Sequence, residues 1–268
     1  MSLELKSPEY EREVIHVTPE ISNLSVSFNG SLASEKSDEY QVKNNIIDLL
    51  GSEPGSKTIA QYSNHFKLTA AIYEDLWRRR SLSLLTGETF PVEKEIELLI
   101  EWASPREGGY YLDVGASTGL YARAIKKAEP KAEVVALDFS LQMLREARLK
   151  AEADEADIYL LRADATQMPF FSKSFDGLLM GGTLNELPDP DRVLHEMRRI
   201  LEDHGVVFMM HLIKSDHWVG QLLQGSASLG GLQFWTVDES NKMFKKAGFR
   251  VDEQHTRGIV CFTRLLPV

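Results

Sequence analysis

The chain has 268 residues, 43% hydrophobic and 26% charged, with a net charge of −10 and a single cysteine, Cys261. This length suits one large domain, or one domain with an extension. The acidic balance disfavours a nucleic-acid partner, whose phosphates it would repel, and one cysteine excludes an internal disulfide and any multi-cysteine zinc site. The N-terminus shows no basic region followed by an apolar run, and no uninterrupted apolar segment is long enough to span a bilayer. A cytoplasmic protein without stable membrane insertion is therefore expected.

In residues 1–57 short alternating runs, Val14-Ile15-His16-Val17 and 21–28, read as strands, and Asn29-Gly30 is a turn signal. Residues 31–39 read as a loop. Residues 40–50 carry Val42, Ile46, Ile47, Leu49 and Leu50 before breaks at Gly51 and Pro54, so a small accessory element is expected over 1–57. Residues 63–85 are helical in pattern, with Phe66, Ala70, Tyr73 and Trp77 on one face and Arg78-Arg79-Arg80 near the C-terminal part, where cations suit the helix dipole. A second helix starts at Pro91, buries Val92, Ile96 and Leu99, and ends at Ser104-Pro105. Together these make residues 58–107 a helical cap.

From there the pattern alternates regularly. Strands are predicted at 110–114, 133–137, 158–162, 175–180, 206–211, 249–253 and 258–264. Helices are predicted at 117–128, at 141–153 with Ser140 as N-cap, from Asp189-Pro190 through Leu201, and from a Thr236/Glu239 capping box to Gly248. A long connection containing Gly220, Gly225, Gly230 and Gly231 precedes the last of these. Such alternation predicts an α/β fold with a doubly wound, mostly parallel sheet of seven strands. The short turn between the last two makes that pair antiparallel.

Tyr110-Tyr111-Leu112-Asp113-Val114-Gly115-Ala116-Ser117-Thr118-Gly119 is the stretch on which the rest converges. It reads as a buried strand turning sharply into a helix, whose first N–H groups and positive dipole end meet the glycine turn. Asp113 closes the strand, where a carboxylate can accept from an ammonium or hydroxyl group. The same residues fit G-x-S-x-G, the nucleophile elbow of α/β-hydrolases, with Ser117 as nucleophile and His255 as a possible partner. They fit the dinucleotide fingerprint less well, since Ser117 stands where its second glycine belongs. A tight turn with no ligand is the plain alternative.

Residues at later strand ends weigh on the choice, because ligands of doubly wound sheets bind at the carboxyl ends of the strands. Asp138 follows the second strand, nineteen residues past Gly119, where an acid can hold both ribose hydroxyls. Asp164-Ala165 follows the third, where a carboxylate can accept a purine exocyclic amine. Gly181-Gly182 follows the fourth and leaves room for a ligand.

With Leu112–Gly119, Ala136-Leu137-Asp138-Phe139-Ser140, Met143-Leu144, Arg162-Ala163-Asp164-Ala165, Met168-Pro169-Phe170, Ser174-Phe175-Asp176, Asn185-Glu186-Leu187-Pro188-Asp189-Pro190 and His195 to Leu201, the sequence resembles the class I S-adenosylmethionine-dependent methyltransferases. It is most similar to the branch of ubiquinone and menaquinone biosynthesis. The resemblance covers roughly residues 108–268 and implies a Rossmann-like methyltransferase domain. A weaker likeness to plastid and cyanobacterial members extends upstream through Tyr73-Glu74-Asp75-Leu76-Trp77, which brings Tyr73 to the cofactor set.

The resemblance implies that Gly115, Ala116, Ser117 and Gly119 contact the methionine part of S-adenosylmethionine, and Asp113 joins the cofactor-binding set on its own chemistry as a strand-end carboxylate. It implies that Asp138 binds the ribose, Phe139 and Met143 flank the adenine, Asp164 and Ala165 read its edge, and Gly181 lies under the sulfonium. Relatives usually have glycine at position 117 and cysteine or glycine at 116, so cofactor binding is expected to survive, weakened. Some relatives also carry a cysteine-rich zinc region whose outline 17–50 follows without the cysteines, and no metal is expected.

The implied reaction is methyl transfer to a small acceptor. Phe66, Tyr73, Trp77, Trp218, Phe234 and Trp235 would suit a flat or hydrophobic one. Asn185, Glu186 and His211 are candidate bases, with His211 first to test because it ends strand five facing the expected cleft. His195 reads as structural. A cofactor-binding protein without catalysis is a third reading, and the oligomeric state is not readable.

Overall fold

The computed structural model describes residues 3–7, 13–33, 39–51 and 90–268. Strands β1 (Leu3–Lys6) and β2 (Val14–Val17) form an antiparallel pair. The other ten build one sheet: β3 (Gly30–Ala33), β4 (Glu39–Lys43), β5 (Ile46–Asp48), β6 (Tyr110–Val114), β7 (Glu133–Asp138), β8 (Tyr159–Arg162), β9 (Phe175–Gly181), β10 (Leu201–Leu212), β11 (Phe249–Arg257) and β12 (Val260–Pro267). Their spatial order is β11-β12-β10-β9-β6-β7-β8-β5-β4-β3. All seven expected strands are present as β6 to β12. Those from β8 across to β10 run parallel, and β12 is antiparallel to both its neighbours, β10 and β11.

Three strands from the N-terminal part lengthen this sheet. β5 lies parallel to β8, and β4 and β3 follow antiparallel. Residues 31–33, read above as loop, are strand β3. The run at 21–28, read as strand, is instead the end of a 3-10 turn (Pro19–Ile21) and a bend that Asn45 ties down, its amide donating to the carbonyls of Ile21, Asn23 and Val26 at 3.1 Å.

Helices cover both faces. On one lie α1 (Val92–Ala103), α2 (Leu120–Ala128) and α3 (Leu141–Ala153), which bury Leu99, Trp102, Tyr121, Ile125, Leu144 and Ala147 against Leu160, Leu179 and Phe208. On the other lie α4 (Pro190–Ile200) and α6 (Val237–Lys246), with Leu194, Met197 and Phe244 packed on Leu178, Val207 and Met209. The β1–β2 pair joins this second layer through Leu3, Leu5, Ile15 and Val17. Between β10 and α6 the glycine-bearing connection forms a further helix, α5 (Trp218–Leu229).

The expected caps are in place. Ser140 accepts from Met143 N, Asp189 from Arg192 N, and Thr236 and Glu239 make both bonds of a capping box. α2 starts three residues later than expected, because Ser117 (φ 51°) and Gly119 (φ 73°) are left-handed and cannot lie inside a helix. The proposed cap helix at 63–85 lies outside the described residues. Among the described residues no helix is long and apolar enough to cross a membrane.

Candidate functional site

The carboxyl ends of β6, β7, β8 and β9 surround an open cleft. Its floor is the turn after β6. Gly115 N and Ala116 N both donate to Leu137 O at 2.9 Å, which draws the turn against the end of β7. From the other side Thr183 Oγ1 donates to Gly115 O at 3.0 Å. Gly115 is glycine for two reasons: φ is +70°, and a Cβ there would lie 2.4 Å from both Thr183 Cγ2 and Oγ1. At Gly119 it is the φ of +73° that favours glycine, since a Cβ there would make only ordinary contact with Ala147, at 3.4 Å.

Asp138 is fixed by its backbone neighbours. Its Oδ2 accepts from Ser117 N at 2.7 Å and its Oδ1 from Ser140 N at 2.8 Å. The carboxylate therefore spans the glycine turn and the start of α3. Phe139 and Met143 line the cleft beside it, and Ser117 Oγ lies 3.5 Å from Met143 Sδ. Asp164 Oδ1 accepts from both Thr166 N and Thr166 Oγ1 at 2.8 Å, a side-chain-capped turn that aims Ala163, Asp164 and Ala165 along the wall. The far wall is Gly181, Gly182, Thr183, Glu186, Leu187 and Pro188. Asp138, Asp164 and Glu186 are thus the charged groups of the lining, and no Lys, Arg or His joins them among the described residues. A field of that sign attracts a cation.

The structure brings together Gly115, Ser117, Asp138, Phe139, Met143, Asp164, Ala165 and Gly181. Other expected residues lie elsewhere. Asp113 is turned inward at 2% exposure, where its Oδ2 accepts from Ala122 N and holds the first turn of α2, so it does not meet the cleft as expected. Ala116 is buried and contributes its backbone N–H to the turn. Gly119 is the left-handed residue that opens α2 at the back of the turn. Tyr73, with Phe66, Trp77 and the three arginines, lies outside the described residues.

His211 is corrected as well. β10 runs on through Leu212, and His211 is fully buried edge-on to Phe244, outside the cleft. Neither ring nitrogen has a hydrogen-bond partner among the described residues, and burial pushes its pKa down to about 4, so it is neutral. Asn185 is a clamp. Its amide donates to Leu212 O at 2.8 Å and Gln233 O at 2.6 Å, and its Oδ1 accepts from Leu212 N. Of the three candidate bases only Glu186 lines the cleft. In the late connection Trp218 is exposed, and Phe234 lines a separate groove with Lys214 and Ser215; neither reaches the main cleft.

The sequence reading missed Thr166 and Thr183. Asp-x-Thr after a strand is a legible turn signal, whereas the approach of Thr183 to Gly115 comes from the pairing of β6 with β9.

The hydrolase alternative finds no geometry here. His255 lies on β11 against Trp102, four strand spacings from β6. At about 4.8 Å each this is roughly 19 Å, far beyond hydrogen-bond reach.

Residues 112–209 match the family described as "Methyltransferase domain". Over this stretch the chain is similar to the methyltransferase domains of that family. An uncharacterized chloroplastic methyltransferase of Arabidopsis thaliana is 30% identical over 52% of this chain and 40% of its own length. The demethylmenaquinone methyltransferase of Thermotoga maritima is 28% identical over 74% of this chain and 91% of its own. The crystal structure of a SAM-dependent methyltransferase from Aquifex aeolicus superposes with a TM-score of 0.57 at 20% identity, covering 76% of this chain and 99% of that one. The chain spans about 40% of the length of the first curated relatives it matches. Within the methyltransferase domain, the matched stretch runs from the end of β6 to β10 and so contains every strand end that lines the cleft.

Proposed function

We propose that this protein transfers the methyl group of S-adenosylmethionine to a small hydrophobic or aromatic acceptor of the hydroquinone class. One observation carries the cofactor half: three carboxylates and a glycine turn, at the carboxyl ends of adjacent strands, line a single cleft with no basic side chain among the described residues. Asp138, held by two backbone N–H groups, presents its carboxylate to the ribose hydroxyls. Phe139 and Met143 flank the adenine, and Asp164 with Ala165 meets its edge. The Gly115–Ser117 turn takes the methionine part, and Gly181 lies under the sulfonium.

The bound cofactor supplies an activated methyl on a cationic sulfur. The chain's own residues orient it, supply negative field around it and exclude water. Glu186 is the group placed to accept a proton from an acceptor hydroxyl or ring carbon. The acceptor class is supported by the demethylmenaquinone methyltransferases among the relatives and by the apolar Leu187 and Pro188 on the same wall. In this reading 108–268 is the catalytic domain and 1–57 an accessory element, whose strands β3 to β5 extend the domain's sheet.

Calorimetric titration with S-adenosylhomocysteine tests the cofactor half. The intact protein binds, and Asp138→Ala binds about 10- to 100-fold more weakly, as expected for hydrogen bonds to a charged group. Intact protein that binds neither S-adenosylhomocysteine nor S-adenosylmethionine refutes the reading. Methyl transfer to a panel of demethylated hydroquinones, against catechol and amine acceptors, tests the other half.

A further inference from the structure

The N-terminal strands meet the domain beside the nucleoside end of the cleft. In register, Asp138 of β7 stands next to Arg162 of β8, and Arg162 next to Asp48 of β5. In-register neighbours of a parallel sheet project to the same face about 5 Å apart, so one cation sits in a row between two carboxylates. The cation is 1% exposed. Arg162 Nη1 donates to Asp48 Oδ2 at 2.9 Å, and Nε donates to the carbonyl of Phe139, the residue after Asp138, at 3.2 Å. Asp48 is itself fixed, since its Oδ1 accepts from Leu50 N and Gly51 N at 3.0 and 3.1 Å. Backbone bonds from Leu49 N to Arg162 O and from Ala163 N to Asp138 O complete the join.

We infer that Asp48 is a positioning residue for cofactor binding: it holds the Arg162 guanidinium on Phe139 O and away from Asp138. A buried guanidinium must find an anionic partner. Without Asp48 the neighbouring carboxylate in the row is Asp138, and an arginine that turned to it would take up the lone pairs that meet the ligand. The accessory strands thereby set the affinity of a site they do not line. This proposal rests on the methyltransferase reading.

The test is S-adenosylhomocysteine titration of the full chain, with melting temperatures recorded in parallel. Asp48→Ala is expected to bind about tenfold or more weakly, the scale of a lost charged hydrogen bond. Asp48→Asn, which keeps the acceptor for Leu50 N and Gly51 N, keeps the fold and still binds more weakly than the parent. The double variant Asp48→Ala/Arg162→Met recovers most of the affinity, because the released cation is gone. In turnover the KM for S-adenosylmethionine rises, while kcat at saturation and the acceptor KM hold. Asp48→Ala and Asp48→Asn binding as tightly as the parent, or a double variant no better than Asp48→Ala, overturns the proposal. A parent protein that does not bind overturns the methyltransferase reading, and this proposal with it.

Discussion

Replacing Gly115 by alanine puts the turn at the centre of the cleft to a quantitative test. The new Cβ would sit 2.4 Å from Thr183 Cγ2 and Oγ1 and 2.9 Å from its Cβ, closer than packed atoms approach. The φ of +70° adds a backbone penalty of about 1–2 kcal/mol for any residue with a Cβ. Overpacking of this kind costs a further ~1–3 kcal/mol. The sum is about 2–5 kcal/mol, or a fall in melting temperature of roughly 5–15 °C for a domain of this size. Thr183→Ala removes the two atoms at 2.4 Å but also the hydrogen bond to Gly115 O. The Thr183 Cβ at 2.9 Å remains, so the double variant should recover most of the packing part and keep the backbone part. Thermal denaturation of the four proteins gives the cycle, with a coupling of at least ~1 kcal/mol expected. A single variant melting within about 2 °C of the parent, or strictly additive effects, would refute the reasoning.

Two further outcomes follow from the same geometry. Burial lowers the His211 pKa to about 4, so in acid the unfolded chain takes up a proton there before the folded one does. The stability this neutral histidine contributes is complete above its unfolded pKa, near 6.5, and is lost as pH falls from there toward 4. Between pH 7 and pH 5 the loss is roughly 2 kcal/mol. Denaturant unfolding at the two pH values should show that loss in the parent and not in His211→Leu, and equal pH sensitivity would sink the assignment. Ser117→Gly relieves a left-handed serine with φ 51°. It should leave stability within about 1 kcal/mol of the parent and S-adenosylhomocysteine binding equal or tighter. A tenfold weaker complex would show that the Ser117 side chain contributes to binding.

The legible part of the fold was the part governed by local rules. Alternating strands and helices, the Ser140 and Asp189 caps and the Thr236/Glu239 box each arise from residues near one another in sequence, and each is where the pattern put it. The acids and glycines past β6, β7, β8 and β9 were legible as a group, because in a parallel sheet a strand end is a fixed place on the molecule. β3 and β5 were not. Ile46-Ile47-Asp48 is three residues long and buried on both faces at its start, so it carries no period to read.

The two misplaced side chains have a common cause, which is phase. His211 follows Val207 and Met209 at a spacing of two, and these face the α4 and α6 layer. With the strand continuing through Leu212, the alternation sends the histidine into that layer and away from the strand mouth. Asp113 is one residue short of its strand end and is likewise committed to a sheet face, where the N–H of Ala122 meets it. Asp138 is the last residue and last register pair of β7, at the rim of the sheet, and Asp164 is the second residue beyond β8; both line the cleft. Residue type and approximate position therefore suffice for side chains at or beyond the last paired residue, whereas those inside the pairing require the register. The Asp138–Arg162–Asp48 row is the extreme case. Its members come from positions 48, 138 and 162, and only the parallel pairing of β5 with β8 and β7 with β8 makes them neighbours.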